Sequence, residues 1–392
     1  MGDKFTVTTR NSWGSRIANS FTGMLFGFLL IPLAIWGLWW NEGLPDLSVY
    51  AKESVEIDSK SVDAAFDGKF VSFTGRITSE ETVGDPPYFE PGPYISVSRS
   101  TEMYAWVEQT ETSEDVDTVG GGSTTTTTYT YRKEWTSNPA DSGSFEYPDG
   151  HENPQPQFAS ETFRVGTAMI EAYLVSPNSG VSIPTGNEIT PKPGDLPAGF
   201  VKAGKYIYTR DGAQSSPQVG DERFSYTALK SGTTVTAIGS VNNGEFAPFL
   251  YDNEHEFFRV FVGTRADAIA TLHTEYLMFL WIIRIVGIFG IFIGLQLLVA
   301  PIGRILSVVG IIGAAYEGIT GFFNFFLALM LGITTIIISK IFHNIYVLAA
   351  IILIIIGVVV WYMRGRSNKM VTAGAGATPS TGDTDASPPK MT

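Results

Sequence analysis

The stretch YLMFLWIIRIVGIFGIFIGLQLLVA, residues 276–300, constrains this chain more than any other. It is apolar and long enough to cross about 30 Å of hydrocarbon as a helix, which takes roughly 20 residues. A second such run, SFTGMLFGFLLIPLAIWGLWW at 20–40, ends in Trp36, Trp39 and Trp40, whose rings favour a membrane interface. It is too long for a cleaved leader, and NEGLPD stands where a small-x-small cleavage site would be. FFNFFLALMLGITTIIIS (322–339) and IYVLAAIILIIIGVVVWYM (345–363) bring the expected spans to four. Residues 301–321, PIGRILSVVGIIGAAYEGITG, read either as a fifth span or as an interfacial or re-entrant segment.

Charge favours the second reading. Lys4, Arg10 and Arg16 precede the first span, and Arg364, Arg366 and Lys369 follow the last. Both ends carry the basic excess of a cytoplasmic face, and only an even number of spans places both there. The expected order is a cytoplasmic N-terminus (1–19), a span (20–40), a domain outside the cytoplasm (41–275) and a second span (276–300). An interfacial or re-entrant cytoplasmic segment (301–321), two more spans (322–339 and 345–363) and a cytoplasmic tail (364–392) complete it. The tail, rich in Gly, Ser, Thr and Pro, has nothing to bury and is expected to be disordered.

The block from Asn41 to Glu275 holds 16 Lys+Arg against 35 Asp+Glu, a net of −19. Such a field repels phosphate, so nucleic acid is not an expected partner, and anionic headgroups are repelled by this block as well. The chain has no cysteine, which removes disulfides, thiolate metal sites and a cysteine nucleophile. A block of this size can stand on its own core. A disulfide-free external domain favours a prokaryotic plasma membrane, with the endoplasmic reticulum or inner nuclear membrane as the eukaryotic alternative.

Within the acidic block the pattern is that of β-strands. KFVSFTGRI, TEMYAWVEQTE, TTTTTYTYRKEW, AGKYIYTR, ERFSYTAL and GTTVTAIGSV are β-branched and aromatic runs punctuated by Gly, Pro and Asp. Two of them share a plan. GKFVSFTGRITSEE and GTTVTAIGSVNNGE each place a glycine inside an alternating strand, a mark of a bulge or barrel bend. The likeness suggests two small OB-like barrels. MYAWVEQTETSEDVDTVGGGSTTTTTYTYRKEW reads as one long hairpin. Tyr104 and Trp106 share a face of its first strand, and Tyr129, Tyr131, Lys133 and Trp135 share a face of its second. The expectation is an aromatic face packed inward and a mobile tip at Gly120–Gly122. Asp115, Asp117 and Gly120 match part of a calcium loop, but Val119 and Thr126 occupy ligand positions, so a solvated acidic turn is expected.

Catalytic signatures are missing. The histidines His151, His255, His273 and His343 are scattered, and no nucleophile elbow, phosphate loop or dinucleotide fingerprint occurs. No enzyme activity, cofactor or metal is expected from this pattern. A metal-assisted hydrolase using His151 or His255 and a channel or transporter subunit are the competing classes.

Several motifs together resemble the LUMA family, also called the transmembrane protein 43 family. These are NEG (41–43), EMYAWVE (102–108), YTYRKEW (129–135), GHENP (150–154), VGDERFSY (219–226), and WIIRIVG followed by GLQL in the second span. The resemblance runs in order from about 13 to 363, and departs in the acidic glycine tip and the tail. It implies four spans, a large non-cytoplasmic domain and a membrane-scaffold role without established catalysis. Eukaryotic members are associated with the endoplasmic reticulum, the inner nuclear membrane and nuclear-envelope proteins. For this chain the partner is an unknown membrane or extracytoplasmic protein.

Two features in the spans invite structural hypotheses. An arginine inside the membrane costs about 2.5–3.5 kcal/mol on insertion scales. Arg284 therefore either snorkels to the outer interface or is locked by a carboxylate, with Glu275 and Glu42 as the candidates. Gly23 with Gly27, and Gly290 with Gly294, put glycines four apart on a helix face and permit close helix contact. That contact is either between copies, giving a homo-oligomer, or between the first and second spans of one chain.

Overall fold

A computed structural model of the chain describes residues 3–344, 347–359 and 361. It opens with a strand, β1 (Asp3–Asn11), followed by helix α1 (Trp13–Glu42). The strands that matter here continue with β2 (Val71–Thr78) and the long pair β3 (Tyr94–Val116) and β4 (Ser123–Thr136). After them come β5 (Ala168–Ile170), β6 (Tyr173–Val175), β7 (Glu222–Lys230), β8 (Thr233–Asn242) and β9 (Glu245–Ala247). Helices α2 (Arg265–Leu306) and α3 (Gly310–His343) follow, and a short apolar helix covers Val347–Val359.

Five strands close a barrel. β2 pairs with β5, β5 with β6, β6 with β9, β9 with β8, and β8 with β2. All pairs are antiparallel except β6–β9. Numbered within the ring, the order is first, second, third, fifth, fourth, then back to the first. Its interior is filled by Val71, Phe73, Ile170, Tyr173, Val235 and Phe246, among others. Burying a large apolar side chain contributes about 1.5–3 kcal/mol each. The two look-alike stretches are thus neighbours in one ring, Gly75 lying opposite Val235 and Gly239 opposite Val71. This corrects the expectation of two barrels. The likeness arises because both strands pack under the same close-approach constraint. A Cβ on Gly75 would come within 2.6 Å of Glu171, and one on Gly239 within 2.7 Å of Phe246.

The second sheet is built on β3. Its first half pairs with β7 through Tyr94–Met103, and its second half pairs with β4 through Met103–Val116. β1 adds to the other edge of β4, from Asp3 opposite Tyr131 to Asn11 opposite Ser123. The N-terminal segment expected in the cytoplasm is therefore a strand of the domain's own sheet. DKFTVTTRN has the alternation of a strand, and nine paired residues give it a ladder that flanking charge does not outweigh. The outcome is a three-stranded ribbon whose threonines alternate with Lys4, Arg10, Glu111 and Asp115 on one face.

Three described helices are long and apolar enough to cross a membrane. α2 starts on the barrel, not at the membrane. Thr264 and Asp267 form a capping box, and Ala268 and Leu272 pack against Phe70, Phe257 and Phe261. From there α2 runs unbroken for 42 residues, about 63 Å at 1.5 Å per residue. Pro301 does not begin a new segment, since the helix continues through it to Leu306. α3 starts at Gly310 after a tight turn in which a Cβ on Gly313 would lie 2.7 Å from Ser307 Cα. Residues 301–321 are thus the end of α2, a turn and the start of α3. The tail 364–392 lies outside the described residues, as do 345, 346, 360, 362 and 363 of the expected last span.

Candidate functional site at the two ends of the helix bundle

Polar side chains in an apolar helix bundle concentrate where they have a job, because unpaired they are costly. Apart from Asn324 of α3, which donates to Gln296 of α2 at 2.7 Å, they gather here at two ends. At the end nearest the β domain, Arg284 meets Glu42 in a two-point grip, Nε to Oε1 at 2.6 Å and Nη2 to Oε2 at 2.8 Å. The Glu42 side chain is 1 % exposed and that of Arg284 10 %. The Trp281 ring lies 4.8 Å from the guanidinium carbon and covers it. Glu42 is the last residue of α1, so the end of one helix supplies the partner for the arginine of another. Glu275, the other candidate, is engaged outside the bundle: both its oxygens accept from Arg259 at 2.9 Å.

The same end is reinforced by amides and hydroxyls. Buried Asn41 donates to the Leu280 carbonyl at 3.1 Å, and Ser339 of α3 donates to the Trp39 carbonyl at 2.9 Å. Gly43 lets α3 approach, since a Cβ there would meet the His343 ring at 2.5 Å.

Between the ends, α1 and α2 are in direct contact along their glycines. A Cβ on Gly27 would lie 2.7 Å from the Gly294 carbonyl, and one on Gly294 would lie 2.5 Å from Ile31. Gly290 faces Ala34, and Gly23 faces Leu297. All four glycines therefore serve a seam within one chain.

At the far end the ribbon tip docks on the helices. Glu114 accepts from Arg16 Nε at 3.0 Å and Ser123 at 2.5 Å, and pairs with Arg304 at 3.3 Å. Arg16 Nη1 donates to the Gly121 carbonyl at 2.6 Å, and the Gly120 N–H donates to the Val308 carbonyl at 2.9 Å. Arg10 holds Asp117 at 2.7 Å, and Trp13 donates to the Arg304 carbonyl at 2.8 Å. Burial alone would raise the Glu114 carboxyl. The Ser123 hydroxyl and the two guanidiniums of Arg304 and Arg16 outweigh that and hold it below its usual 4.5. The tip expected to be mobile is pinned, and its acids answer the basic residues beside the spans. The two routes match in length. From Met103 to Glu114 is about 37 Å of strand, and from Glu42 to Arg16 about 39 Å of helix.

The aromatic face of the hairpin anchors the ribbon's base. Tyr104 lies opposite Trp135, Trp106 opposite Lys133, and Thr110 opposite Tyr129. Tyr131 is fully buried, stacks on His151 at 3.9 Å, and donates its hydroxyl to Glu108. Burial and then that carboxylate push its phenol up to about 12. Phe5 of β1 stacks on Tyr147 at 4.6 Å, so the N-terminal strand is part of this cluster.

The sequence reading did not foresee a further buried cluster on β3 and β7. Arg99 pairs with Asp85 at 2.6 Å, Tyr226 donates to Asp85 at 2.8 Å, and Glu222 accepts the Gln157 and Phe158 N–H groups. Burial pushes the Glu222 carboxyl up. These groups converge from distant segments, which no local pattern signals. Each has a structural partner. His151 bonds to the Tyr147 carbonyl and Asp3, while His255 lies beside Tyr50 at 5.2 Å. Among the described residues no group of three or more His, Asp or Glu is placed to hold a metal.

Comparison with known proteins fits this picture. A family model described as "Transmembrane protein 43" matches residues 103–345. The chain is 25 % identical over 360 residues to the "Transmembrane protein 43 homolog" of Drosophila melanogaster, covering 87 % of this chain and 94 % of the relative. It is 25 % identical over 316 residues to the Homo sapiens "Transmembrane protein 43", covering 75 % of this chain and 78 % of that protein. No solved structure matches.

Proposed function

The chain belongs to the transmembrane protein 43 family, and on that premise we propose that it is a non-enzymatic membrane scaffold. Its β domain stands outside the cytoplasm on four spans, and copies of the chain associate. The observation that carries this reading is the closed circuit of the molecule. α2 leaves the barrel and reaches the far end without a break, and the ribbon returns from that end to the domain. A load on the domain is passed to the spans by two routes. The Arg284–Glu42 grip fixes one end of the circuit and the Glu114 latch the other. The five-stranded ring, in OB order, then serves as a platform for a membrane or extracytoplasmic protein.

The ribbon supports self-association. It runs the length of the helices, yet the outer edge of β1 and the far half of β3 have no strand partner among the described residues. Lipid does not tolerate an open strand edge, because each unpaired N–H and C=O costs several kcal/mol there. A ribbon beside spanning helices must be covered by protein, and neighbouring copies supply that cover. The polar threonine surface of such a ribbon also favours a second reading, a channel subunit, for which conductance in planar bilayers is the test.

Cysteines introduced singly at Lys4, Ser144 and Ser367 test the arrangement with an impermeant thiol reagent, since the chain has no cysteine of its own. Ser144→Cys is expected to react from outside, Ser367→Cys only after permeabilisation, and Lys4→Cys, at the domain end of β1 opposite Thr130, from the same side as Ser144→Cys. Lys4→Cys reacting only from the side of Ser367→Cys would detach β1 from the sheet and break the circuit. A folded monomer in nanodiscs would remove the self-association.

A further inference from the structure

At the far end of the bundle a cavity of about 250 Å³ opens beside the latch, lined in part by Asn11, Arg16, Asn19 and Ser20. Arg16 is 5 % exposed, and its guanidinium is only partly used. Nε donates to Glu114 and Nη1 to Gly121 and Ser307, but Nη2 is buried with no hydrogen-bond partner. An arginine so placed has an unmet demand for an acceptor, and its planar fork matches two oxygens of one anion. Arg304 lines the same cavity and divides its guanidinium between Glu114 and Glu317, each at 3.3 Å. The ionised groups balance, so the unmet demand at this end lies on Arg16 alone. The side-chain amide of Asn19 stands at the mouth, free to add a hydrogen bond.

The opposite wall is apolar. Gly23, Leu297 and Ala300 form it, and the absence of a side chain at Gly23 leaves the groove between α1 and α2 open. Leu297, Ala300 and Arg304 also border a second cavity of about 320 Å³ that extends toward α3 past Ile293 and Val299. A polar mouth with an unsatisfied guanidinium N–H, continuous with an apolar groove at the end of helices that cross a bilayer, has the chemistry of an amphiphile with an anionic head.

We propose that Arg16, Arg304 and Asn19 form a site for the phosphate of an anionic phospholipid, whose acyl glycerol lies along the Gly23–Leu297 groove, with Glu114 as its intramolecular competitor. A phosphate that takes the place of Glu114 meets Nε and the buried, unpartnered Nη2 of Arg16 as one fork, so Glu114, which already takes Nε and neighbours Arg304, limits affinity. The proposal rests on the helices crossing a bilayer and not on the scaffold role or self-association.

The test uses the full chain in an uncharged detergent, titrated calorimetrically with short-chain phosphatidic acid, short-chain phosphatidylcholine and inorganic phosphate. Saturable binding of phosphatidic acid is expected, at least tenfold tighter than that of phosphatidylcholine. Arg16→Gln should weaken it tenfold or more, and Glu114→Gln should tighten it severalfold. The second variant keeps the test decisive if Arg16→Gln disturbs the tip. Unchanged affinity in a folded Arg16→Gln protein, or in Glu114→Gln, overturns the site. Inorganic phosphate binding as tightly as phosphatidic acid overturns the lipid as occupant.

Discussion

The two ends of the helix bundle use the same pair of residue types to different effect. Near the β domain, one glutamate and one arginine meet at two points, and the glutamate is 1 % exposed. At the far end, one glutamate is shared between two arginines and its side chain is 31 % exposed. In the first case water is excluded, so losing one partner leaves a charge with nowhere to go. In the second, water reaches Glu114 but not Arg16, which is 4 % exposed, so the pair stands between a surface and a buried ion pair, and Arg16 keeps the Gly121 carbonyl and Ser307 as acceptors when Glu114 is lost. The near end is built as a permanent joint and the far end as a latch that opens more easily, through its water-exposed glutamate.

The largest expected effect comes from breaking the joint. Arg284→Leu leaves Glu42 buried and unpaired and should destabilise by about 3–5 kcal/mol, without stopping insertion, since leucine enters lipid more readily than arginine. Arg284→Lys should recover only part of the loss, because lysine keeps the charge but not the fork. Melting temperatures in detergent and in lipid give the comparison. Equal melting of all three proteins would reduce the joint to a snorkelling arginine.

The seam between the ends should be next. Gly294→Ile forces a side chain into the space of Ile31 and should cost about 1–3 kcal/mol by overpacking, with the oligomer unchanged on native gels. Gly23→Ile with Gly27→Ile extends the test. If these dissociate copies while the fold persists, the glycines serve contacts between chains.

Opening the latch should cost least in stability, on the order of 1 kcal/mol for Glu114→Ala, because the buried Arg16 keeps the Gly121 carbonyl and Ser307 as acceptors. It should show instead in a geometric readout. Val119 and Val309 face each other across an antiparallel bridge, so Val119→Cys with Val309→Cys is expected to form a disulfide in the docked state. The folded carboxyl of Glu114 titrates below 4.5. Its contribution is therefore complete above that value and is lost as pH falls through the folded value. Spin labels on the same two cysteines should move apart in acid and be insensitive to acid in Glu114→Gln. A label distance that holds in acid for the native carboxylate would make the tip a fixed joint like the other end.

Much of this arrangement was readable in the residues. Apolar runs marked α1, α2 and α3, and the alternating strands appeared where the β-branched runs stood. Arg284 announced the need for a partner. What failed did so for identifiable reasons. The basic flanks suggested that 1–19 lay apart from the domain, yet DKFTVTTRN had the alternation of the strand it forms. Pro301 suggested a break that the helix does not make. The acidic tip read as solvated because its cationic partners, Arg16 and Arg304, are 98 and 190 residues away along the chain.

Hydropathy and side-chain alternation are properties of neighbours in the chain, so the sequence by itself determined which segments are helices for a membrane, which are strands, and which polar groups would be costly alone. The choice of Glu42 over Glu275, the closing of two similar strands into one barrel, and the docking of the ribbon tip were decided by tertiary structure. Each depends on register and closure between segments far apart, where several pairings satisfy the local chemistry and only one lets the whole chain pack.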